Sequence, residues 1–234
     1  MESPNGSMDP MEWAKFIVRS HAEADYPAAF SIISSRAERG QPEAELYLGL
    51  LYARGQWVDR DFILARNWLR RSADHGNPKA MYFLGKIYIR GYGTEADPRK
   101  ASELLSVPAD AGDARAQYEL ALLSLDGTGI GRDLVRAFGL MERAAEQGHV
   151  EAMFVLGQMH KTGAGTAKDA KQAVHWLLAA AANGHKGAQL LLGNMYLTGD
   201  GVDRDAEEAA RWYEMADANV TSDRRCSRHR QGRS

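Results

Sequence analysis

The sequence predicts an all-α solenoid of about six helix-turn-helix repeats. The prediction rests on a 36-residue period and on helical spacing of apolar residues within each period. Eighteen of the 23 glycines fall in four registers of this period, and a period of this length is typical of stacked repeats. Its first two columns are Ala44, Ala80, Ala116, Ala152 and Ala188, and Leu48, Leu84, Leu120, Leu156 and Leu192.

The first helix of each repeat is predicted from one apolar face. In the first full repeat, Ala44, Leu48 and Leu51 recur at the i, i+4, i+7 spacing of a buried stripe. Gly49 lies inside this helix and recurs in other repeats. A helical glycine is unfavourable by about 1 kcal/mol relative to alanine, so its recurrence indicates a close approach of a neighbouring chain segment.

A Gly-x-Gly loop and a capping aspartate predict the second helix. Glycines such as Gly91 and Gly93 can adopt positive φ and end the first helix. An aspartate side chain can accept a hydrogen bond from a free amide in the first turn of the next helix. This column comprises Asp25, Asp61, Asp97, Asp133, Asp169 and Asp205. Pro108 falls well inside its predicted helix, so we expect a kink or break between Leu104 and Pro108.

The period sets the predicted boundaries. Residues 1–8 are expected to form a disordered N-terminus, 9–219 the repeat array, and 220–234 a disordered basic tail. The array begins with a degenerate repeat over 9–42, which is expected to act as a cap. Five full repeats follow, over 43–78, 79–114, 115–150, 151–186 and 187–219. A pair of short helices cannot bury its apolar face alone, so the repeats must stack.

The repeat resembles a known family. The segments Ala80–Leu104 and Ala188–Trp212 carry almost all of the pattern Ala-x-x-x-Leu-Gly-x-x-Tyr-x-x-Gly-x-Gly-x-x-x-Asp-x-x-x-Ala-x-x-Trp. This pattern is similar to the Sel-one-like (Sel1) repeat, a relative of the tetratricopeptide repeat. The resemblance implies a right-handed all-α superhelix that serves as a non-enzymatic protein-interaction scaffold or adaptor, often in bacterial signalling, secretion or envelope processes. The cysteines of the disulfide-rich branch are absent.

The residues give little support to catalysis, so the sequence predicts no catalytic residue, cofactor or metal site. The Gly-x-Gly loops join helices, whereas a dinucleotide fingerprint follows a strand. His149 and His185 are one period apart, but a zinc site takes three or four ligands. His160 is expected to be a packed core residue. A small-molecule binder or hydrolytic enzyme remains the alternative class.

A partner-binding groove is predicted on the face of the first helices that points away from the packed stripe. Large apolar residues recur on this face, with polar neighbours that are uncommon in protein cores. Aromatic anchors beside polar groups are typical of interface hot spots. The candidate partner-binding residues are Leu46, Tyr82, Lys86, Arg90, Tyr118, Leu122, Phe154, Gln158, Lys161 and Asn194.

The C-terminal segment, residues 221–234, carries five arginines and one aspartate, a charge of +4, whereas the remaining chain sums to −6 and the whole chain to −2. Its arginines could contact nucleic acid or acidic lipid, although most such tails are simply solvated. They are Arg224, Arg225, Arg228, Arg230 and Arg233. The single cysteine, Cys226, and the absence of a secretory signal pattern or a long apolar run predict a cytoplasmic protein without a membrane span.

Overall fold

The structure, a computed structural model, describes residues 9–20 and 25–231, with side chains up to Ala218. The described residues form twelve α-helices and confirm the predicted all-α repeat solenoid. The helices are α1 (Pro10–Ser20), α2 (Tyr26–Glu38), α3 (Pro42–Arg54), α4 (Phe62–Asp74), α5 (Pro78–Arg90), α6 (Pro98–Asp110), α7 (Ala114–Asp126), α8 (Leu134–Glu146), α9 (Val150–Thr162), α10 (Ala170–Ala182), α11 (Lys186–Thr198) and α12 (Ala206–Gln231). We call the odd-numbered helices A helices and the even-numbered ones B helices.

The chain divides into two compact units, which are described separately below. Unit 1 contains α1–α6 together with Thr128–Ile130, and unit 2 contains α7–α12. In both units, the leucine and alanine columns are buried, including Leu84 and Ala101 in unit 1 and Leu156 and Ala173 in unit 2. These residues make up the core between paired helices.

The aspartate column closes each loop in two ways. The Asp97 backbone N–H donates to the Tyr88 carbonyl at the end of α5, 2.9 Å away. Its side chain accepts from the Lys100 amide at the start of α6, 3.1 Å away. The first bond uses only the backbone carbonyl at the Tyr88 position. Ser124, which lies at the same position one period later, therefore keeps the equivalent bond from Asp133. Asp25 differs from the prediction, because its side chain makes no capping bond.

The close contact predicted at the helical glycine and the positive φ predicted at the loop glycine are confirmed, and the structure adds a contact between repeats at the loop. A Cβ atom at Gly49 would lie 2.8 Å from Leu69 Cγ in the paired B helix. In the loop, Gly93 has φ +64°, and a Cβ there would lie 2.8 Å from the carbonyl carbon of Phe62, at the start of the preceding B helix. Because no side chain fits, this glycine lets successive repeats approach at the backbone.

Two predictions about helix ends are corrected. The break between Leu104 and Pro108 was wrong, because α6 is continuous from Pro98 to Asp110. Pro108 lies in the last turn of α6. The backbone hydrogen bond that proline cannot donate is therefore missing close to the helix end, where few residues follow. The tail after residue 219 was expected to be disordered, but α12 continues through it to Gln231. Neither glycine nor proline occurs between 206 and 231 to stop it. The predicted disorder of 1–8 lies outside the described residues.

A polar cluster occupies the start of α3 in unit 1. The Glu45 side chain is fully buried, and its Oε2 lies 2.8 Å from His75 Nδ1. Arg71 Nε lies 3.0 Å from Oε1 but outside hydrogen-bonding geometry. The equivalent positions of the next four repeats hold Met81, Gln117, Met153 and Gln189. Gln117 accepts a hydrogen bond from Gln147, 2.8 Å away, so a polar pair at this position also occurs two periods later.

Candidate functional site

In unit 1, two neighbouring cavities lie along the A helices, and we call them together the A-face groove. The first has a volume of about 340 Å³ and lies beside α1, α3 and the first turns of α5. The second has a volume of about 440 Å³ and lies mainly beside α3 and α5. Leu50 and Phe83 line both cavities, so the two are adjacent.

Four predicted partner-binding residues line this groove. Leu46 lines the first cavity, and Tyr82, Lys86 and Arg90 line the second. Leu46 is 4% exposed and Tyr82 is 6% exposed, so they form groove walls that also belong to the core. Lys86 Nζ lies 5.8 Å from the centroid of the Tyr82 ring, within the range of a cation–π contact.

Sequence reasoning missed the other aromatic groups of the groove. Tyr47 lies beside the first cavity, and its hydroxyl accepts from Arg19, 3.2 Å away. Tyr92 is 47% exposed and stacks on Phe62 with ring centroids 4.7 Å apart. The signal was present at positions 47, 83, 119, 155 and 191, where the first two repeats alone hold an aromatic residue.

The charged side chains that line the A-face groove are all basic. Arg19, Arg54 and Lys79 line the first cavity, and Lys86 and Arg90 line the second. Among the described residues that line these two cavities, none is aspartate or glutamate. This basic lining contrasts with the formal net charge of −2 for the whole chain. A smaller cavity of about 280 Å³ beside α1 and α2 is also lined by arginines, Arg36 and Arg39, and Arg36 there pairs with Asp9.

A further cavity in unit 1 has a different character. Its volume is about 340 Å³, and it lies beside α4, α5 and α6. Here Arg70 and Lys100 are balanced by Asp74 and Glu103. The cavities of this unit are therefore not all lined by basic side chains alone.

In unit 2, the predicted aromatic anchors are engaged within the chain. Tyr118 stacks on His149 with ring centroids 4.6 Å apart, and Phe154 stacks on His185 at 4.3 Å. Both histidines also cap the next A helix. For example, His185 Nδ1 accepts from the Ala188 amide, 3.1 Å away. The histidines that are one period apart therefore act as helix caps and stacking partners.

The remaining predicted residues of unit 2 differ in exposure. Leu122 is half-buried, and Gln158 and Asn194 are exposed. Asn194 accepts a hydrogen bond from Tyr213, 3.0 Å away. The Lys161 ammonium donates to Asp200, and this bond lowers the pKa of that carboxyl. The cavities described above belong to unit 1.

The structure gives no assembled metal centre in the part of the chain that it describes, because no three His, Cys, Asp or Glu side chains gather there. None of the helices among the described residues combines the length and apolar character needed to cross a bilayer. The predicted contacts of the tail arginines with nucleic acid or lipid lie outside the described side chains.

Comparison with known proteins gives a consistent result for the fold. The chain is similar to the solved structure of a Sel1 repeat protein from Oxalobacter formigenes, with a TM-score of 0.83, 26% identity, and coverage of 91% of this chain and 84% of that one. It is also similar to a protective antigen of uropathogenic Escherichia coli that displays an SLR fold, with a TM-score of 0.78 and 31% identity. That match covers 81% of this chain but 40% of the antigen.

An immunity protein from Pseudomonas aeruginosa shares the fold at 19% identity, with a TM-score of 0.57 and coverage of 92% of this chain and 84% of that one. A comparison with functionally curated proteins found no match. The family profile described as Sel1 repeat matches residues 42–77, 78–113, 114–149, 150–185 and 187–216, each of which begins at or next to the start of an A helix. On these five consecutive matches, the chain belongs to the Sel1 repeat family.

Proposed function

We propose that this protein is a non-enzymatic interaction scaffold that holds a partner protein along the A-face groove of unit 1. The observation that carries the proposal is the pair of adjacent cavities lined by aromatic, aliphatic and basic side chains. Clefts of about 300–1,000 Å³ are typical binding sites, and the two volumes fall within that range.

The chemistry of the lining supports a protein partner. Aromatic side chains and arginine are enriched in interface hot spots, where a few anchors supply most of the binding energy. Phe83 is half-buried and shared by both cavities, and Arg54 and Arg90 are exposed at their margins. The fold presents these groups on packed helices, so little ordering entropy opposes binding.

The family setting supports the same class of function. Sel1 repeat solenoids are interaction scaffolds in general, and a structural neighbour is an immunity protein. We extend this to a role in bacterial signalling, secretion or envelope regulation, and we assign the protein to the cytoplasm as part of the same proposal. In unit 2, Tyr118 and Phe154 already stack on capping histidines, so we place the partner on unit 1.

Site-specific photo-crosslinking in native cells tests the proposal. A photoreactive phenylalanine analogue is placed at Phe83 in the groove and, as the matched control, at Val135, which is 71% exposed in unit 2. We expect a discrete crosslinked protein from position 83 that is absent from position 135. Equal crosslinking at both positions, or no product at position 83, would contradict a groove-bound partner.

A further inference from the structure

We infer that the A-face groove recognises an acidic segment of its partner, in which apolar side chains are flanked by aspartate and glutamate. This inference rests on the proposed function and names the chemistry of the ligand. It depends on the distribution of charge around the two cavities of unit 1.

Five cations line the two cavities, and no carboxylate among the described residues lines either of them. They come from three successive A helices: Arg19 from α1, Arg54 from α3, and Lys79, Lys86 and Arg90 from α5. Charges of one sign around a low-dielectric cleft reinforce one another and attract the opposite sign. Glu12 and Glu43 act on Arg19, and Lys86 contacts the Tyr82 ring, so we assign the attraction to Arg54, Lys79 and Arg90. These three would repel a basic segment and draw in an acidic one.

The apolar floor determines what the segment must carry besides charge. Leu50 and Phe83 are half-buried at the junction of the two cavities, and Tyr92 is exposed at the edge of the second. Burying an aliphatic or aromatic side chain against such a floor gives about 1.5–3 kcal/mol. Carboxylates alone would leave this surface uncovered, so the segment needs apolar anchors that enter the cavities.

The mixed cavity beside α4, α5 and α6 provides an internal comparison. There Asp74 and Glu103 offset Arg70 and Lys100. An acidic segment would meet attraction and repulsion together at that cavity. The geometry therefore favours the A-face groove over this mixed cavity.

Selection from a random peptide library displayed on phage tests the inference with the full chain as bait. Three baits are compared: the parent, a groove variant with Arg54→Glu, Lys79→Glu and Arg90→Glu, and a control with Lys168→Glu, Lys171→Glu and Lys186→Glu. The control changes the net charge equally at exposed lysines of unit 2. Circular dichroism and thermal melting establish that each bait is folded.

We expect the parent and the control to enrich peptides with several acidic residues around leucine or aromatic anchors. The groove variant should bind those peptides at least about tenfold more weakly, and raising salt from about 0.05 M to about 0.5 M should weaken the parent's binding. A separate variant, Leu50→Ala with Phe83→Ala, reports whether the same peptides use the apolar floor.

The outcomes separate this inference from the proposed function. Neutral or basic peptides that depend on Leu50 and Phe83 would overturn the acidic inference and leave the groove as the binding site. Acidic peptides that bind all variants equally would overturn the inference, because their site would lie elsewhere. Failure to enrich any peptide that depends on the groove would contradict both.

Discussion

Two helical glycines of unit 2 should respond to alanine with opposite signs. A Cβ atom at Gly157 in α9 would lie 2.8 Å from Leu177 Cγ and 3.2 Å from the Ala173 carbonyl oxygen. At Gly139 in α8, no heavy atom outside its local backbone lies within 4 Å of the same Cβ position. Both have ordinary helical φ, so the difference between them is one of space.

The magnitudes follow from two opposing terms. Replacing glycine by alanine inside a helix stabilises by about 0.5–1 kcal/mol, and overpacking a close contact costs about 1–3 kcal/mol. Gly139→Ala receives the first term alone and should stabilise unit 2 by about 0.5–1 kcal/mol. Gly157→Ala receives both and should destabilise it by up to about 2.5 kcal/mol.

The chain itself suggests a rescue. One period earlier, Ala121 occupies the glycine position and is fully buried, and Met141 occupies the position of Leu177. Methionine is unbranched at Cγ and can move aside. We therefore expect Leu177→Met to recover part of the stability lost in Gly157→Ala.

Urea unfolding followed by far-ultraviolet circular dichroism measures all four proteins, with a second probe because repeat arrays can depart from two-state behaviour. Stabilisation by Gly157→Ala, or loss of stability in Gly139→Ala, would refute the view that the glycine column exists for close helix contact. Failure of Leu177→Met to help would refute the proposed reason for alanine at position 121.

Three further predictions concern polar groups. His149→Ala should lower the free energy of unfolding by about 1 kcal/mol, because it removes the cap of α9, whereas His149→Asn should retain most of that stability. Thermal melting of the two variants measures the difference, and equal losses would contradict the capping role. The Lys161 hydrogen bond lowers the pKa of the Asp200 carboxyl, so its contribution is present above the unfolded pKa of about 3.9 and disappears as pH falls through the folded value. Asp200→Asn should flatten this acid-side loss in pH-dependent unfolding, and an unchanged slope would argue against the ion pair. Glu45→Met should leave the free energy of unfolding within about 1 kcal/mol of the parent or raise it, because apolar residues can replace a buried ion cluster. Methionine occupies the equivalent position one period later, at Met81. A loss above about 3 kcal/mol would contradict this prediction.

The repeat architecture could be predicted from sequence because every stacking contact recurs. Glycines such as Gly49 and caps such as Asp97 have the same local task in successive repeats, so periodicity exposes them. Events that occur once were harder to predict. Pro108 was placed mid-helix because the period does not show that α6 ends two residues later, and the continuation of α12 depended on the absence of a stop signal.

The candidate site was predicted in part for a related reason. Counting around an ideal helix gave the direction of Tyr82 and Lys86, and both line the groove. It could not show that Tyr118 and Phe154 stack on histidines of the next helix, because such contacts depend on where the neighbouring repeat places its cap. Tyr92 comes from a loop, whose conformation helical periodicity does not describe.

The central claim is that a partner is held by the A-face groove, and the most direct measurement is calorimetric titration of the partner crosslinked from position 83. The parent is compared with Leu50→Ala plus Phe83→Ala, and thermal melting establishes that the variant is folded. We predict that the affinity falls about 30-fold to 700-fold, because the two truncations each remove about 1–2 kcal/mol of anchor burial. An unchanged dissociation constant in a folded variant would contradict the account.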